Sequence, residues 1–241
     1  KQDSDAYFHR FADRVVQIGD EPNRGYLDIE RIIRAAVNTG ADAIHPGYGF
    51  LAENADFAQA CQEAGIIFIG PPPAVIRDLG NKVYARQMMA KAGIPLVPGT
   101  ESLPAGREGV EAAAAFAARA GYPIILKATA GGGGRGVRRI DNEQELKLNV
   151  AAARAEALAA FHDDRLYAEK YVEKPRHVEV QILADQYGHV IHLGTRDCSI
   201  QRRHQKLLEI APAGLPAPVC DRIQEAAVLA AKTAGYVNAG T

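Results

Sequence analysis

The sequence predicts an α/β first part with a partial parallel sheet, followed by an α+β second part. Three observations carry this. From residue 13 to residue 69, short β-branched or apolar runs alternate with amphipathic helical segments. A proline cluster, GPPPAV (70–75), then interrupts the pattern. Beyond it, strand-like segments follow one another through tight turns, which is the mark of antiparallel pairing.

RVVQIG (14–19) is a β-branched run and the first strand candidate. LDIERIIRAAVNTG (27–40) is an amphipathic helix with Asp28 near its start and Gly40 to stop it. ADAIHPG reads as a short strand ending in a loop, ENADFAQACQEAG (53–65) as a helix, and IIFIG (66–70) as a buried strand. Ligands of such sheets sit at loops on the carboxyl ends of the strands. Two short helical stretches follow, around Val75–Leu79 and Lys82–Ala92, and then the connection GIPLVPGTESLPAG (93–106). A helix (107–120) precedes the strand PIILKAT, a glycine run and the strand VRRI. A long helix from about Asn142 to Phe161 comes next. RLYAEKYV, RHVEVQILAD and HVIHLGT are strand-like, and DQYGH (185–189) supplies the turn of a hairpin between the last two. The division expected is an α/β domain over 1–79 and a second domain over 80–241, with a lid region at about 122–194.

Bulk composition limits the function classes. The chain has 241 residues, with 28 Lys+Arg against 29 Asp+Glu, so there is no overall electrostatic pull toward nucleic acid or an anionic membrane. Any phosphate binding must come from local groups. Cys61, Cys198 and Cys220 are scattered and form no C-x-x-C pair, which argues for a reducing, intracellular setting and against a zinc or redox centre. No signal peptide or bilayer-spanning run is evident. The chain begins at Lys1 without Met and stops just after a helical pattern, so it is expected to be a piece of something longer.

KATAGGGGRGVRRI (127–140) carries the sharpest signal. Gly131, Gly133 and Gly136 satisfy G-x-G-x-x-G, but that fingerprint should open a helix, and here VRRI resumes as a strand. The Walker A pattern fails as well, since no Lys-Ser/Thr follows. Strand, glycine-rich turn and strand make a hairpin lid. The amides of Gly131, Gly132, Gly133, Gly134 and Gly136 can close over phosphate oxygens, Arg135 adds a cation, and Lys127 sits just before the lid as a point charge. The alternative is an exposed loop beside a surface lysine.

HPGYGFLAEN (45–54) is either a ligand-lining loop or a rigid turn with a buried aromatic. EKYVEKPRHVEVQ places Glu169 and Lys170 at a strand end and His177 at the start of the next strand. There, backbone groups could read an adenine edge, or the stretch could be a surface charge run. RDCSIQRRHQK (196–206) packs together Arg196, Arg202, Arg203, His204 and Lys206. Asp197 and Glu209 offset only part of that charge, which points to an anion-binding role. His177 and Glu179 alone fall short of a metal site, which needs three or four converging ligands. Cys198 reads as a packed small residue, since no general base can be placed beside it.

Together these segments resemble the biotin carboxylase family of ATP-grasp enzymes over essentially the whole chain. HPGYGFLAEN, FIGP, KATAGGGGRGV, EKYVEKPRHVEVQ and RDCSIQRRHQK stand in the family's order and spacing. The resemblance implies that Lys82 and Lys127 contact ATP phosphates under the mobile lid Gly131–Gly136. It places Glu169 and Lys170 at the adenine, His177, Gln201 and His204 around the ribose and phosphates, and Lys206 toward bicarbonate. The chemistry it implies is attack of bicarbonate on the γ-phosphate of Mg-ATP to give carboxyphosphate, followed by carboxylation of biotin N1. The implied partners are a biotin carboxyl carrier protein or domain and a carboxyltransferase, with a homodimer of the intact protein and a cytoplasmic or mitochondrial-matrix location. Neither nucleic acid nor membrane is expected to bind.

Several positions depart from the family pattern: Asn81 stands for Asp, Val137 for Met, and Thr195 for Glu. The family's first strand with its glycine-rich turn is absent. So is the later half of the ATP-grasp domain, which carries the acidic Mg²⁺ ligands and an arginine for bicarbonate and biotin. The 241-residue chain is therefore expected not to complete the reaction. Two rivals remain: another ATP-grasp ligase of carbamoyl-phosphate or purine-pathway type, and a non-catalytic nucleotide-binding module.

Overall fold

A computed structural model of the chain describes residues 6–19, 24–130, 136–202 and 205–241. It divides into two compact units, Lys1–Arg77 with Tyr236–Ala239, and Asp78–Gly235 with Gly240–Thr241.

In the first unit, helix α1 (Ile29–Thr39) starts where the Asp28 carboxylate accepts from the Arg31 amide at 3.1 Å. It ends at Gly40, whose φ of 69° continues the chain in the left-handed region. Strand β1 (Ala43–Ile44) leads through the HPGYGFLAEN loop to helix α2 (Ala55–Glu63), capped by Asn54, and then to strand β2 (Ile67–Phe68). β1 and β2 pair in parallel. Ala36, Leu51, Phe57, Cys61 and Ile66 form the buried core, with Ile29, Ile32, Ile33 and Phe68 packed against it.

Two expectations are corrected here. Residues 14–19 form no strand among the described residues. Ile18 instead offers its carbonyl to the Arg31 guanidinium at 3.3 Å. β-branched composition favours extended backbone, but a strand also needs a neighbour to share its hydrogen bonds. The IIFIG strand is only partly buried: Ile66 is inside, but Ile67 is 65% exposed.

Helix α3 (Pro73–Gly80) leads to helix α4 (Lys82–Lys91). In the second unit, helix α5 (Gly106–Ala120), strand β3 (Ile124–Ala128), strand β4 (Val137–Ile140), helix α6 (Glu143–Phe161) and strand β5 (Leu166–Lys170) follow. The sheet order is β4-β3-β5, antiparallel throughout. Period-2 alternation buries Ile124, Leu126 and Ala128 of β3 in a core with Ala113, Phe116, Ala117, Leu146, Val150 and Ala157 of α5 and α6. Ile125 and Lys127 therefore stand on the opposite face of the sheet.

A second sheet holds strands β6 (Val178–Ala184), β7 (Val190–Arg202) and β8 (Gln205–Ile210) in the order β8-β7-β6, with helix α7 (Ala217–Ala234) packed on β6 and β7. The Asp185 carboxylate closes the β6–β7 turn by accepting from the amides of Tyr187 and His189. β7 runs well past HVIHLGT, through RDCSIQR, so the basic stretch lies on a hairpin.

Candidate functional site

Lys127 is the next-to-last residue of β3 and pairs across the sheet with Tyr167 of β5; Glu169 lies diagonally beside it on the same face. The Lys127 ammonium donates to Glu169 Oε2. Arg86 of α4 donates from Nη1 to Glu169 Oε1 at 2.5 Å and from Nη2 to the Val97 carbonyl at 2.7 Å. The Glu169 side chain is only 9% exposed, against 20% for Arg86 and 31% for Lys127. Two cations thus share one buried carboxylate. Burial pushes the neighbouring Tyr167 phenol up to about 12; the Glu169 charge adds to that and Arg86 partly offsets it.

Lys170 turns away from this face. Its ammonium donates to the carbonyls of Gly121 and Tyr122 at 3.0 and 3.1 Å, at the C-terminal end of α5, where a cation also meets the negative end of the helix dipole. Its amide donates to Pro98, so β5 is edged by the Pro98–Thr100 segment.

A second cluster gathers on β6, β7 and β8. His177 precedes β6, and its ring Nδ1 meets Gln201 Nε2 at 2.7 Å. Gln201 also donates to the Cys198 carbonyl. The His177 backbone is fixed on both sides: its amide donates to Ser199 Oγ and its carbonyl accepts from the Cys198 amide at 2.7 Å. Asp197 anchors that arrangement by accepting from Ser199 and Arg176, which together hold its carboxyl down at about 2.

Nearby, Glu179 lies opposite Arg196 in the β6–β7 ladder. It takes hydrogen bonds from Arg196 Nε at 2.7 Å and Lys206 Nζ at 2.5 Å, while Glu209 lies 3.2 Å from Arg196. Burial raises the Glu179 carboxyl, but the hydrogen bonds from Lys206 and Arg196 outweigh it and hold the group below its ordinary value. Its hydrogen bond to Lys206 in turn raises that ammonium, despite some burial.

Set against the expected site residues, the structure brings Lys127 to Glu169, and His177 to Gln201. Lys206 is paired with Glu179. Lys82 opens α4 directly after the Asn81 cap. Gly136 precedes β4 at φ 69°, and β3 and β4, on either side of the glycine run, pair antiparallel. Gly131, Gly132, Gly133, Gly134, Arg135, Arg203 and His204 lie outside the described residues.

Three readings change. Glu169 is buried, so EKYVEKPRHVEVQ is no simple surface charge run. Tyr48 is 94% exposed, so the HPGYGFLAEN turn holds no buried tyrosine. The charge of the RDCSIQRRHQK stretch is also better matched than its own sequence indicates. Glu179 pairs with both Arg196 and Lys206, while Asp197 goes to Arg176. Arg86, which holds Glu169, and Glu179, in its role as acceptor for Arg196 and Lys206, are partners of the expected site residues that sequence reasoning did not supply. Aligning the β6–β7 hairpin about its DQYGH turn would pair Glu179 with Thr195. An irregularity between Val180 and Ile182 shifts the register by one and brings Arg196 opposite it instead. Nothing local marks Arg86.

Residues 1–76 match the biotin carboxylase N-terminal domain, and residues 81–241 match the carbamoyl-phosphate synthase L chain ATP binding domain. Biotin carboxylase 1 of Bacillus subtilis is 49% identical over 241 residues, covering 99% of this chain and 53% of that protein. Mitochondrial pyruvate carboxylase of Mus musculus is 51% identical over 244 residues, covering the whole chain but 20% of that protein. The crystal structure of a biotin carboxylase–β-γ-ATP complex from Campylobacter jejuni superposes with a TM-score of 0.93 at 46% identity, covering 99% of this chain and 53% of that one. The biotin carboxylase domain dimer of Hydrogenobacter thermophilus 2-oxoglutarate carboxylase, solved with MgADP, ADP and bicarbonate, follows at 0.87 and 50% identity, covering 95% of this chain and 50% of that one. The chain therefore spans about half, or less, of the length of these relatives. With both of its parts matched by the corresponding domain models and its fold shared with these solved structures, the chain belongs to the biotin carboxylase family of ATP-grasp proteins.

Proposed function

We propose that the protein is the biotin carboxylase component of a biotin-dependent carboxylase. It uses ATP and bicarbonate to carboxylate biotin on a carrier protein or domain, which then serves a carboxyltransferase. The observation that carries this reading is the position of Lys127: a half-exposed cation on the open face of β3, at the foot of a glycine-rich antiparallel hairpin.

Lys127 and Lys82 hold the phosphates as point charges, and the amides of Gly131–Gly136 with Arg135 close over them and exclude water. The strand end at Glu169 and Lys170 borders the adenine. His177, held by Gln201, and His204 flank the ribose and phosphates. A bicarbonate oxygen bonds to the γ-phosphorus as the bond to ADP breaks, giving carboxyphosphate. The C–O bond of carboxyphosphate then breaks, the carboxyl carbon bonds to N1 of biotin, and the departing phosphate takes up the N1 proton. Lys206, kept protonated by Glu179, offers its charge on the bicarbonate side. Division into domains at 1–79 and 80–241, with the lid at about 122–194, belongs to the same reading.

Magnesium neutralises phosphate charge in such chemistry. Among the described residues, the metal-ligand candidates do not fit it. The group, Glu179, Cys198 and Glu209, includes a buried thiol, and its carboxylates already face Arg196 and Lys206. A hard cation asks for open oxygen ligands.

The test is phosphate release from Mg-ATP by the full-length protein that carries this sequence, with bicarbonate, with and without free biotin. A rate that rises with biotin and falls at least about a hundredfold in Lys127→Ala supports the reading, as loss of a transition-state cation does elsewhere. Stimulation by ammonia but not biotin would move the substrate assignment to another ATP-grasp ligase.

A further inference from the structure

Arg86 and Glu169 raise a question of charge. A carboxylate this deeply buried beside a phosphate-binding lysine should compete with the phosphates for that lysine. Losing its partner would strand Glu169 as an unpaired buried charge, which is strongly unfavourable. The carboxylate, however, has two oxygens, and each is held by a different cation: Oε1 by Arg86 and Oε2 by Lys127.

The two cations are held very differently. Arg86 is locked. Its second guanidinium nitrogen donates to the Val97 carbonyl, and the side chain passes over Gly99, where a Cβ would lie 2.7 Å from Nη2. Only glycine leaves room for it. The planar fork serves both acceptors at once, as lysine could not. Lys127, by contrast, is held by one hydrogen bond and is the most exposed of the three side chains. Of the neighbours on that face, the Tyr167 hydroxyl, pushed up to about 12 chiefly by burial, carries no charge near neutral pH. Arg139, across Ile125 on β4, is paired with Asp141 and Glu173.

We infer that Arg86 is a positioning residue for the nucleotide phosphates: by keeping Glu169 neutralised through a fixed fork, it frees Lys127 to exchange that carboxylate for an ATP phosphate. The net charge of the trio is one positive unit with Arg86 and zero without it. The inference rests on the reading of Lys127 as a phosphate contact.

The measurement is the affinity of the full-length protein for ATP relative to AMP, by calorimetry, in wild type, R86Q, E169Q, R86Q/E169Q and K127Q. AMP controls for changes at the adenine, for which Glu169 is a neighbour. R86Q is expected to lower the ATP-to-AMP affinity ratio by about tenfold or more, the scale set by breaking one member of a buried charge pair. Removing the competing charge in R86Q/E169Q should restore most of that loss, which a purely structural role for Arg86 would not do. E169Q alone, which retains the Arg86 anchor at Val97, should leave the ratio at or above wild type. An R86Q ratio equal to wild type alongside a reduced K127Q ratio would overturn the inference and leave the phosphate role of Lys127 standing. A double variant no better than R86Q, or an E169Q variant as weak as R86Q, would also overturn it. A K127Q ratio equal to wild type would remove the phosphate role and this inference together.

Discussion

Gly136 sits where the glycine hairpin rejoins β4, at φ 69°, and a Cβ there would lie 2.8 Å from a Phe161 ring carbon and 3.0 Å from Ala128 Cβ. Both the backbone and the space demand glycine. Gly136→Ala should destabilise the fold by about 1–3 kcal/mol, measured by urea unfolding. Asp163 is a second residue with a defined consequence. Hydrogen bonds from the Arg165 side chain lead the effects that lower its carboxyl from 3.8 to about 2, against some burial. A depressed carboxylate contributes stability above its unfolded pKa and loses it as pH falls toward the folded value. The advantage of wild type over Asp163→Asn in thermal unfolding should therefore be full above about pH 4 and vanish near pH 2. Thr195, which departs from the family pattern, accepts from the Ala213 amide at 3.1 Å in a buried position, so its hydroxyl is in use. Lys127 was legible as a residue because its apolar strand and glycine run are contiguous in sequence. Glu179 was not, because its partner Arg196 is 17 residues away and meets it only through strand register.

Among the elements, helices α1 to α6 were legible to within about two residues, because their stop and start signals are local, whereas α7 showed only as a helical pattern without bounds. Asp28, Asn54, Asn81 and Asn142 each cap the helix that follows by accepting from an amide three residues on. Asn81 does at α4 what the family's aspartate could do. Asn81→Ala should cost about 1 kcal/mol in unfolding free energy, and Asn81→Asp should be near neutral. Strands were harder. Residues 14–19 have strand composition without a strand, and β7 is far longer than its apolar stretch, because pairing depends on neighbours distant in sequence. In HPGYGFLAEN the glycines were readable as a turn, with φ 69° at Gly47 and 71° at Gly49, but the fate of the Tyr48 ring was not.

For the molecule as a whole, the α/β-then-α+β order was readable from the change in periodicity, whereas the apolar surface left uncovered was not. Leu183 and Ile191 face one another across β6 and β7, Leu193 follows on the same side, and all three are exposed. Leu207, Leu208 and Ile210 of β8 are exposed too. Apolar surface on this scale is unusual for a free-standing soluble domain. The 241-residue chain alone should bind a hydrophobic dye such as ANS and self-associate in sedimentation experiments, and Leu193→Lys with Leu208→Lys should reduce both effects. An unaltered, monomeric, dye-free chain would contradict this.

The single long strand β7 has a mechanical consequence. It bears Arg196, Asp197, Cys198 and Gln201 in succession, and its register is keyed by irregularities against both neighbours, between Val180 and Ile182 on one side and between Asp197 and Gln201 on the other. It works like a notched key in a lock. Cutting one extra notch, by inserting a single residue after Gly194, would turn each tooth to the wrong side: the carboxylate of Asp197 would face where the thiol of Cys198 belongs, and the arginine would lose its acid. The length of this stretch cannot vary by one residue without moving every one of these side chains to the opposite face.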